Sequence, residues 1–520
     1  MKTVIKNPIL TGFHPDPCIL RVKDTYYIAT STFEYFPGVE ISASKDLINW
    51  KVVKRPVSAD KINMTGVPQG GGVWAPCLSY DGKKFYLIYS NVYNWYDDPY
   101  KDVDNFVITA DDIEGEWSDP VYLNSDGFDA SLFHDDDGKK YYLCVIWDYR
   151  KPGTKTFSGI LLQEFDPETK KLIGKSKNIF KGTDRGLVEA PHIYKHDGYY
   201  YLFTAEGGTN VEHAQTVARS KNIEGPYELH PFKHFITSYK MDRYLQKAGH
   251  GSITDDGNGN WYYAHLCGRK LVKGNCVLGR ETAIQNMEWR DGWPYLSNGT
   301  NAPSNEFTVP YEAKKIEKNA KIPFNAYTVE NVFQSLRNPM DGRYKIISEN
   351  EIELVGGRSL RCRDGQSLFA VRQTDFKFRA SVKLRFEPEK FSHMAGLIYR
   401  YNEENQYLIY MSYDDEKGKN CIRMQRYMKN VIVLDERIDY IEGNEVSFSL
   451  EADYDKAKFS YSIKGKEKVF ADDIDTSFLS DESAYPMGFT GAFVGIYAAD
   501  LSSRTKTARF SDFIYDGKGE

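Results

Sequence analysis

One short stretch of the chain reads Asp197-Gly198-Tyr199-Tyr200-Tyr201-Leu202. An Asp-Gly step between alternating apolar runs is typical of a β-hairpin, because glycine tolerates the positive φ of a tight turn. Paired aromatic residues of this kind, each followed by an aliphatic or small residue, occur five times at intervals of about sixty residues. The five copies end at Ile28, Leu87, Leu143, Leu202 and Ala264.

The repeat predicts a five-bladed β-propeller, because each copy contains several short strands and shows no helical periodicity. Its period is too long for a helical solenoid. A long β-sandwich with coincidental spacing is the alternative, and the regularity of the intervals argues against it.

A different pattern begins after the repeats. We expect a propeller domain over residues 1–310, a charged, lysine-rich linker over 311–325 and a second domain over 326–520. The second domain alternates apolar and polar residues, as in Phe376–Phe386 and Gln406–Tyr413. Such alternation predicts an antiparallel β-sandwich of the concanavalin or jelly-roll kind, so that the whole chain is all-β.

The composition excludes several classes of partner. The chain has 520 residues and balances 67 Lys and Arg against 73 Asp and Glu, for a net charge of −6. This balance argues against nucleic-acid binding and against an anionic membrane surface. The aromatic content of 14% favours β-structure and surfaces that stack on sugar rings.

The cysteines are interpreted as reduced core thiols. There are seven, without a CxxC pair or a tight cluster in the sequence: Cys18, Cys77, Cys144, Cys267, Cys276, Cys362 and Cys421. Together with an N-terminal stretch that lacks the apolar run of a signal peptide, they favour a cytoplasmic location. His192 and His196 are four residues apart, but in a strand and turn they do not share a metal-binding face.

In a propeller the first strand of every blade lines a central channel, so equivalent positions converge at one mouth. Eleven to thirteen residues before each second aromatic residue, the sequence places three carboxylates, one indole and one imidazole: Asp16, Trp74, Asp129, Glu189 and His250. Each alone is explained by a turn cap or a solvated strand end. Together they predict a site, and carboxylates that face each other across a wet funnel are what glycoside hydrolysis requires.

Several motifs occur in order along the chain: Asn7–Leu10, Phe13–Pro17, Ala29–Val39, Trp74–Pro76, Phe128–Phe133, Glu189–His192 and Leu278–Gln285. In these motifs the chain resembles glycoside hydrolase family 43, and most closely its β-xylosidase branch with a C-terminal β-sandwich. The resemblance covers essentially the whole chain.

The resemblance implies roles for four polar residues. Asp16 would be the general base that activates water, and Glu189 the general acid. Asp129 would orient the acid and raise its pKa, and Arg280 would approach both the sugar and the base; a surface ion pair is the alternative for Arg280. The family inverts the anomeric configuration, which requires space for a water between the base and the sugar.

The resemblance also implies a pocket wall. Phe33, Trp74 and Trp147 would stack on a pentose, with core packing as the alternative. A sandwich loop over Gly488–Gly495 would close the pocket, with Phe489 as the plug. His250 matches a histidine that holds a calcium ion through water in some family members. No cofactor is required, and whether calcium occupies the propeller channel stays open.

The expected function is therefore an inverting exo-β-xylosidase that releases xylose from the non-reducing end of β-1,4-xylo-oligosaccharides. The short segment from Gly268 to Leu278 could open the pocket to α-L-arabinofuranosides, so α-L-arabinofuranosidase activity, even as the dominant one, is an alternative. A catalytically silent sugar-binding propeller and a retaining hydrolase of the invertase kind are further alternatives. The partner is a small oligosaccharide, not a nucleic acid or a membrane, and a homo-oligomer (dimer or tetramer) stays open.

Overall fold

The computed structural model describes residues 2–96, 99–317, 319–429 and 431–519. Its first part consists of five four-stranded antiparallel sheets, each built from consecutive chain segments. We number these sheets blades 1 to 5 in chain order. Each blade packs against the next, and blade 5 packs against blade 1, which closes a ring.

The strands of the first three blades follow the repeat. Blade 1 contains Cys18–Val22, Thr25–Thr30, Glu40–Ser44 and Lys51–Lys54. Blade 2 contains Gly72–Tyr80, Phe85–Asn94, Asp102–Ala110 and Val121–Asn124. Blade 3 contains Ser131–His134, Lys140–Trp147, Phe157–Asp166 and Lys171–Phe180, with a short 3-10 helix over Gly153–Thr156. The paired aromatic residues of the repeat lie in the second strand of each blade.

The last two blades complete the ring. Blade 4 contains Glu189–His196, Tyr199–Glu206, Ala214–Ser220 and Glu228–Thr237, and blade 5 contains Gln246–Asp255, Trp261–Gly268, Arg280–Arg290 and Trp293–Leu296. The chain start is tied to blade 5, because Thr3–Lys6 pairs with Glu306–Val309, which follows that blade. The predicted five-bladed propeller is confirmed.

The second part is a β-sandwich of two antiparallel sheets. One sheet has the spatial order Tyr344–Ser348, Glu351–Val355, Thr507–Gly517, Lys377–Phe386, Glu445–Asp453, Lys456–Ile463 and Lys466–Asp475. The other has the order Ser367–Arg372, Phe493–Asp500, His393–Arg400, Gln406–Asp414, Lys419–Met428 and Val431–Leu434, with Asp439–Ile441 also paired to Lys419–Met428. Alternate residues of Lys377–Phe386 are buried, as the sequence pattern predicts.

Three short elements join the two parts. The helix Ala326–Asn331 has Asn325 as its N-cap. The Asn325 side chain accepts a hydrogen bond from the backbone N–H of Thr328 at 3.0 Å. The strand Ser335–Leu336 pairs with Tyr35–Phe36 of the propeller. A 3-10 helix over Asp481–Ser483 precedes the loop that contacts the propeller channel. In the described residues, no helix is both long and apolar enough to cross a membrane.

A buried charge cluster fixes the sandwich on the propeller. Glu40 accepts hydrogen bonds from Arg55 at 2.6 Å and from the sandwich residue Arg372 at 2.8 Å, and it is 1% exposed. His14 is a further partner of this carboxylate at 3.0 Å. A carboxylate this deeply buried is tolerated because two guanidinium groups are paired with it.

Candidate active site

Each blade has a residue with left-handed backbone at or near the start of its first strand. In blades 1 and 3 this residue is Asp16 or Asp129, just before the strand, with a φ of 55° in each case. In blade 5 it is His250, within Gln246–Asp255, with a φ of 44°. In blades 2 and 4 the left-handed residues are Ala75 and Ala190, at 29° and 51°. Such a conformation is costly for a residue with a side chain and is concentrated at functional sites.

The strand register shows that Trp74 and Glu189 do not occupy the same position as Asp16. In every blade, the residue two positions after the left-handed residue pairs with the second strand. These five residues occupy equivalent positions of the blades: Cys18, Cys77, Ser131, His192 and Ser252. Trp74 and Glu189 therefore lie one residue further upstream. Both precede an Ala-Pro step at an irregularity of the strand pairing. The strand bulges there, as the first strand of blade 5 also does between Gly249 and Gly251, and a bulge redirects the side chain.

Asp16 is a buried, ionised carboxylate. Its Oδ1 accepts a hydrogen bond from Arg280 Nη1 at 2.6 Å, and its Oδ2 accepts one from Ser31 Oγ at 2.6 Å. Burial favours the neutral form, but the positive charge of Arg280 and the Ser31 hydrogen bond outweigh it, so that the pKa of Asp16 lies below its usual range. A carboxylate that stays charged at neutral pH can accept a proton from water.

Glu189 has the opposite electrostatics. Burial and the negative charge of Asp16 raise the pKa of Glu189 to about 7, against the opposing effect of Arg280 and Lys101. Among the described residues, its Oε1 has no hydrogen-bond partner. A buried carboxyl that keeps its proton near neutral pH and has a free oxygen can protonate a leaving group.

Asp129 is the third buried carboxyl of the group. Burial and the negative charges of Glu189 and Asp16 raise its pKa well above the usual range. The interaction between Asp129 and Glu189 is mutual, because a charge on either carboxyl disfavours ionisation of the other. The three carboxyls influence one another electrostatically, which places them close together at the centre of the propeller.

Arg280 connects the base to the sandwich domain. It is 2% exposed, which rules out the surface ion pair. Its Nη2 donates a hydrogen bond to the backbone carbonyl of Phe489 at 3.1 Å, and its guanidinium lies 5.2 Å from the centre of the Phe33 ring. The adjacent Gly279 has a φ of 73°, and a Cβ there would come within 2.3 Å of the Thr490 carbonyl oxygen. Glycine is therefore needed at this position for the loop to reach the site.

Phe489 contacts two of the predicted wall residues. Its ring stacks on Phe33 at a centroid distance of 5.6 Å and meets Trp74 at 5.5 Å and Trp95 at 4.7 Å. The segment from Gly268 to Leu278 supports this loop, since the backbone N–H of Cys276 donates to Glu482 at 2.8 Å. The sandwich domain thus contributes to the mouth of the propeller, as the resemblance implies.

Lys101 was not predicted from the sequence. Its ammonium lies over the rings of Trp147, Phe128 and Trp74, at 4.4, 4.8 and 5.0 Å from their centres. Burial lowers its pKa to about 8, and the nearby carboxylates Glu189 and Asp129 oppose that shift. It stands in a segment with no repeat or motif, so no sequence signal marks it.

A cleft of about 770 Å³ continues outward from Lys101 and Trp147. Its rim includes Tyr100 and Tyr149, which are about half exposed and have ring centres 4.9 Å apart. Exposed aromatic rings beside a carboxyl site are suited to stacking on further sugar units.

His250 lies beside the base, with its Nδ1 3.5 Å from Asp16 Oδ1. Burial lowers the pKa of His250 to about 4, so that it is neutral at pH 7. Calcium takes about six to eight oxygen ligands, whereas the carboxylate next to His250 is already paired with Arg280. These two residues do not fit direct calcium coordination. The expected calcium ion, held by His250 through water, stays a prediction, and no catalytic role is assigned to it.

The mouth of the propeller thus holds an ionised carboxyl and carboxyls with raised pKa between aromatic side chains, which are the groups that glycoside hydrolysis requires. The chain belongs to glycoside hydrolase family 43. The family model described as "Glycosyl hydrolases family 43" matches residues 5–294, and that described as "Beta xylosidase C-terminal Concanavalin A-like domain" matches residues 321–516. The predicted family, fold class and enzyme class are thereby confirmed.

Three similar proteins cover nearly the full length. The chain is 43% identical to "Xylosidase/arabinosidase 43B" of Humicola insolens, over 98% of this chain and 97% of that protein. It is 43% identical to "Beta-xylosidase" of Bacillus subtilis (strain 168), over 99% and 100%. Its fold matches the crystal structure of a xylan beta-1,4-xylosidase from Bacillus halodurans C-125 with a TM-score of 0.95 at 44% identity, over 98% and 100%.

Proposed function

We propose that this glycosidase is an inverting, exo-acting β-xylosidase that removes xylose from the non-reducing end of β-1,4-xylo-oligosaccharides. The observation that carries the proposal is the opposite electrostatic state of two buried carboxyls: Asp16 is ionised, and Glu189 retains its proton up to about pH 7. Similar proteins of nearly the same length are described as β-xylosidases.

In the proposed reaction, Asp16 accepts a proton from a water molecule as the water oxygen bonds to the anomeric carbon. Glu189 gives its proton to the glycosidic oxygen, and the bond between that oxygen and the anomeric carbon breaks. The products are one sugar and one shortened chain. Before the next cycle, Asp16 releases its proton to solvent and Glu189 takes up a proton from solvent. Arg280 keeps Asp16 ionised between turnovers.

The sandwich loop at the propeller mouth supports the exo mode. Phe489, Phe33 and Trp74 form an apolar wall there, and we infer that this wall restricts the site to a terminal sugar. The aromatic cleft beyond Lys101 would accept the rest of the substrate. We infer that Phe33, Trp74 and Trp147 stack on the pentose.

Digestion of xylohexaose labelled at its reducing end tests the proposal. We expect labelled products that shorten by one unit at a time, with unlabelled xylose as the other product. Unlabelled xylobiose or xylotriose at early times would show internal cleavage and contradict the exo mode.

A second activity on α-L-arabinofuranosides is supported by one observation. The Humicola insolens relative is described as a xylosidase and arabinosidase. Comparison of kcat/KM on p-nitrophenyl β-xyloside and p-nitrophenyl α-L-arabinofuranoside decides which activity dominates. We expect the xyloside to be preferred; a higher kcat/KM on the arabinofuranoside would make the enzyme predominantly an arabinofuranosidase.

A further inference from the structure

The propeller brings two cysteines and a histidine together beyond the carboxyls. Cys18, Cys77 and His192 occupy the same position of blades 1, 2 and 4, two residues after the left-handed residue of each blade. The corresponding residues of blades 3 and 5 are Ser131 and Ser252, which hydrogen-bond to the backbone carbonyls of Pro191 and Pro17.

The ligand-type atoms of this cluster converge. One sulfur from each cysteine and one imidazole nitrogen all lie within 4.8 Å of one another. Cys18 and Cys77 are each 4% exposed, whereas His192 is partly exposed, which gives a path from solvent. All seven cysteines are free and six are buried, as expected for reduced core thiols. The ring of blades places Cys18 beside Cys77, a proximity that the sequence spacing does not indicate.

Packing explains part of the cluster, because Cys18 and Cys77 belong to an apolar core cluster of the propeller. Buried free cysteines normally behave as small apolar residues among other apolar side chains. Here two thiols face an imidazole, and Cys18 Sγ also accepts a hydrogen bond from the backbone N–H of Leu78 at 3.3 Å. Two sulfurs and one imidazole nitrogen are a donor set that suits zinc in proteins.

We propose that Cys18, Cys77 and His192 form a binding site for a zinc ion. Zinc–sulfur bonds are about 2.3 Å long and zinc–nitrogen bonds about 2.0 Å. To bind one zinc ion, the two sulfurs and the imidazole nitrogen would therefore move closer to one another by about 1 Å or less. Three protein ligands leave the fourth tetrahedral position for water. Binding of one Zn²⁺ to two neutral thiols and a neutral imidazole releases two protons as the thiolates form.

The position of the site indicates a structural role. Cys18 is two residues after Asp16, and His192 is three residues after Glu189. A bound ion would therefore tie together the first strands of blades 1, 2 and 4, two of which hold the proposed base and acid. It would raise the free energy of unfolding, and this stabilisation grows with the logarithm of the metal concentration divided by the Kd of the folded state. The site does not include His250 and does not depend on the proposed catalytic roles.

Cobalt titration of the full-length, fully reduced and metal-stripped enzyme tests the proposal. Co²⁺ substitutes for Zn²⁺ and reports thiolate ligands by a charge-transfer absorption that Zn²⁺ displaces. We expect one equivalent of Co²⁺ to bind with this absorption. Cys18→Ser, Cys77→Ser and His192→Asn should each weaken binding by at least about tenfold, whereas the control Cys144→Ser, a buried thiol of blade 3, should bind like the wild type.

Thermal unfolding supplies a second readout. Zinc should raise the Tm of the wild type and of Cys144→Ser and leave that of Cys77→Ser unchanged. If the variants fail to fold, X-ray absorption of the zinc-loaded wild type should show two sulfur ligands. Any one of four results would overturn the proposal. Two concern the wild type: a zinc coordination shell without sulfur, or no charge-transfer band in the reduced protein. The others are an unaltered band in Cys18→Ser and a Cys18–Cys77 disulfide in protein isolated under reducing conditions.

Discussion

Arg280 Nη1 lies 2.6 Å from Asp16 Oδ1, and both side chains are at most 4% exposed. The guanidinium belongs to the third strand of blade 5, and the carboxylate precedes the first strand of blade 1. Closure of the propeller ring therefore sets the charge state of the proposed base. Burial alone would favour the neutral acid, and the ion pair reverses that preference.

Replacement of Arg280 should move the acid limb of the pH profile. In Arg280→Ala the pKa of Asp16 rises, because burial is no longer opposed by the guanidinium. The base must be ionised, so kcat/KM should fall about 100-fold or more near pH 6 and the acid limb should shift to higher pH. The kcat/KM of Arg280→Lys should lie between those of Arg280→Ala and the wild type, since lysine keeps the positive charge but lacks the planar guanidinium group. Arg290→Ala, at a half-exposed surface residue, is the control. An acid limb that does not move in Arg280→Ala would contradict this role.

Removal of the acid should depend on the leaving group. Glu189→Ala should lose about 1,000-fold or more in kcat/KM on xylobiose, but much less on an aryl xyloside whose leaving group needs little protonation. Wild-type activity should decline as the pH rises through about 7, where Glu189 loses its proton, and this basic limb should be missing in the variant on the aryl substrate. Equal losses on both substrates would exclude Glu189 as the acid.

The sandwich loop should contribute to binding more than to chemistry. Phe489→Ala removes a ring that contacts Phe33 and Trp74, and we expect about a tenfold higher KM for xylobiose with a smaller change in kcat. Tyr485→Ala in the same loop, whose side chain is 67% exposed, should leave both constants unchanged. A Phe489→Ala enzyme with wild-type KM would show that the ring does not line the substrate pocket.

The buried ion cluster should hold the two domains together. Glu40→Gln leaves Arg55 and Arg372 without their counter-charge, so the free energy of unfolding in urea should fall by about 3 kcal/mol. Glu164→Gln, in the exposed pair with Lys139, should change it by less than about 1 kcal/mol. A loss of that small size in Glu40→Gln would contradict the proposed contribution of the cluster.

The pH dependence of stability follows from the same residue. Burial opposes ionisation of Glu40, but Arg372 and Arg55 hold its pKa well below the usual range. Its contribution to stability is therefore present above the ordinary glutamate pKa of about 4.3 and is lost as the pH falls through the folded-state pKa. The difference in unfolding free energy between wild type and Glu40→Gln should shrink in strongly acidic solution.

The repeat in the sequence predicted the five blades and the approximate positions of the site residues. It could do so because each copy marks a β-hairpin, whose geometry depends on the residues of its own turn and strands. It did not resolve the one-residue offset of Trp74 and Glu189, which arises from bulges at the Ala-Pro steps. The two prolines are the sequence signal that would have revealed the offset.

Contacts between distant segments were harder to predict. Lys101 reaches the site through a packing arrangement that no motif records. Cys18 and Cys77 do have a signal, since each follows a proline at the start of a first strand, but their proximity depends on how neighbouring blades meet. The oligomeric state and the cellular location stay predictions.

The proposed mechanism is a single displacement in which Asp16 activates water and Glu189 protonates the leaving oxygen. Proton NMR of the first product formed from p-nitrophenyl β-xyloside, recorded before mutarotation, tests this mechanism most directly. Inversion predicts α-xylose as the first anomer. Initial β-xylose would mean retention through a covalent intermediate and would contradict the role of Asp16 as a base.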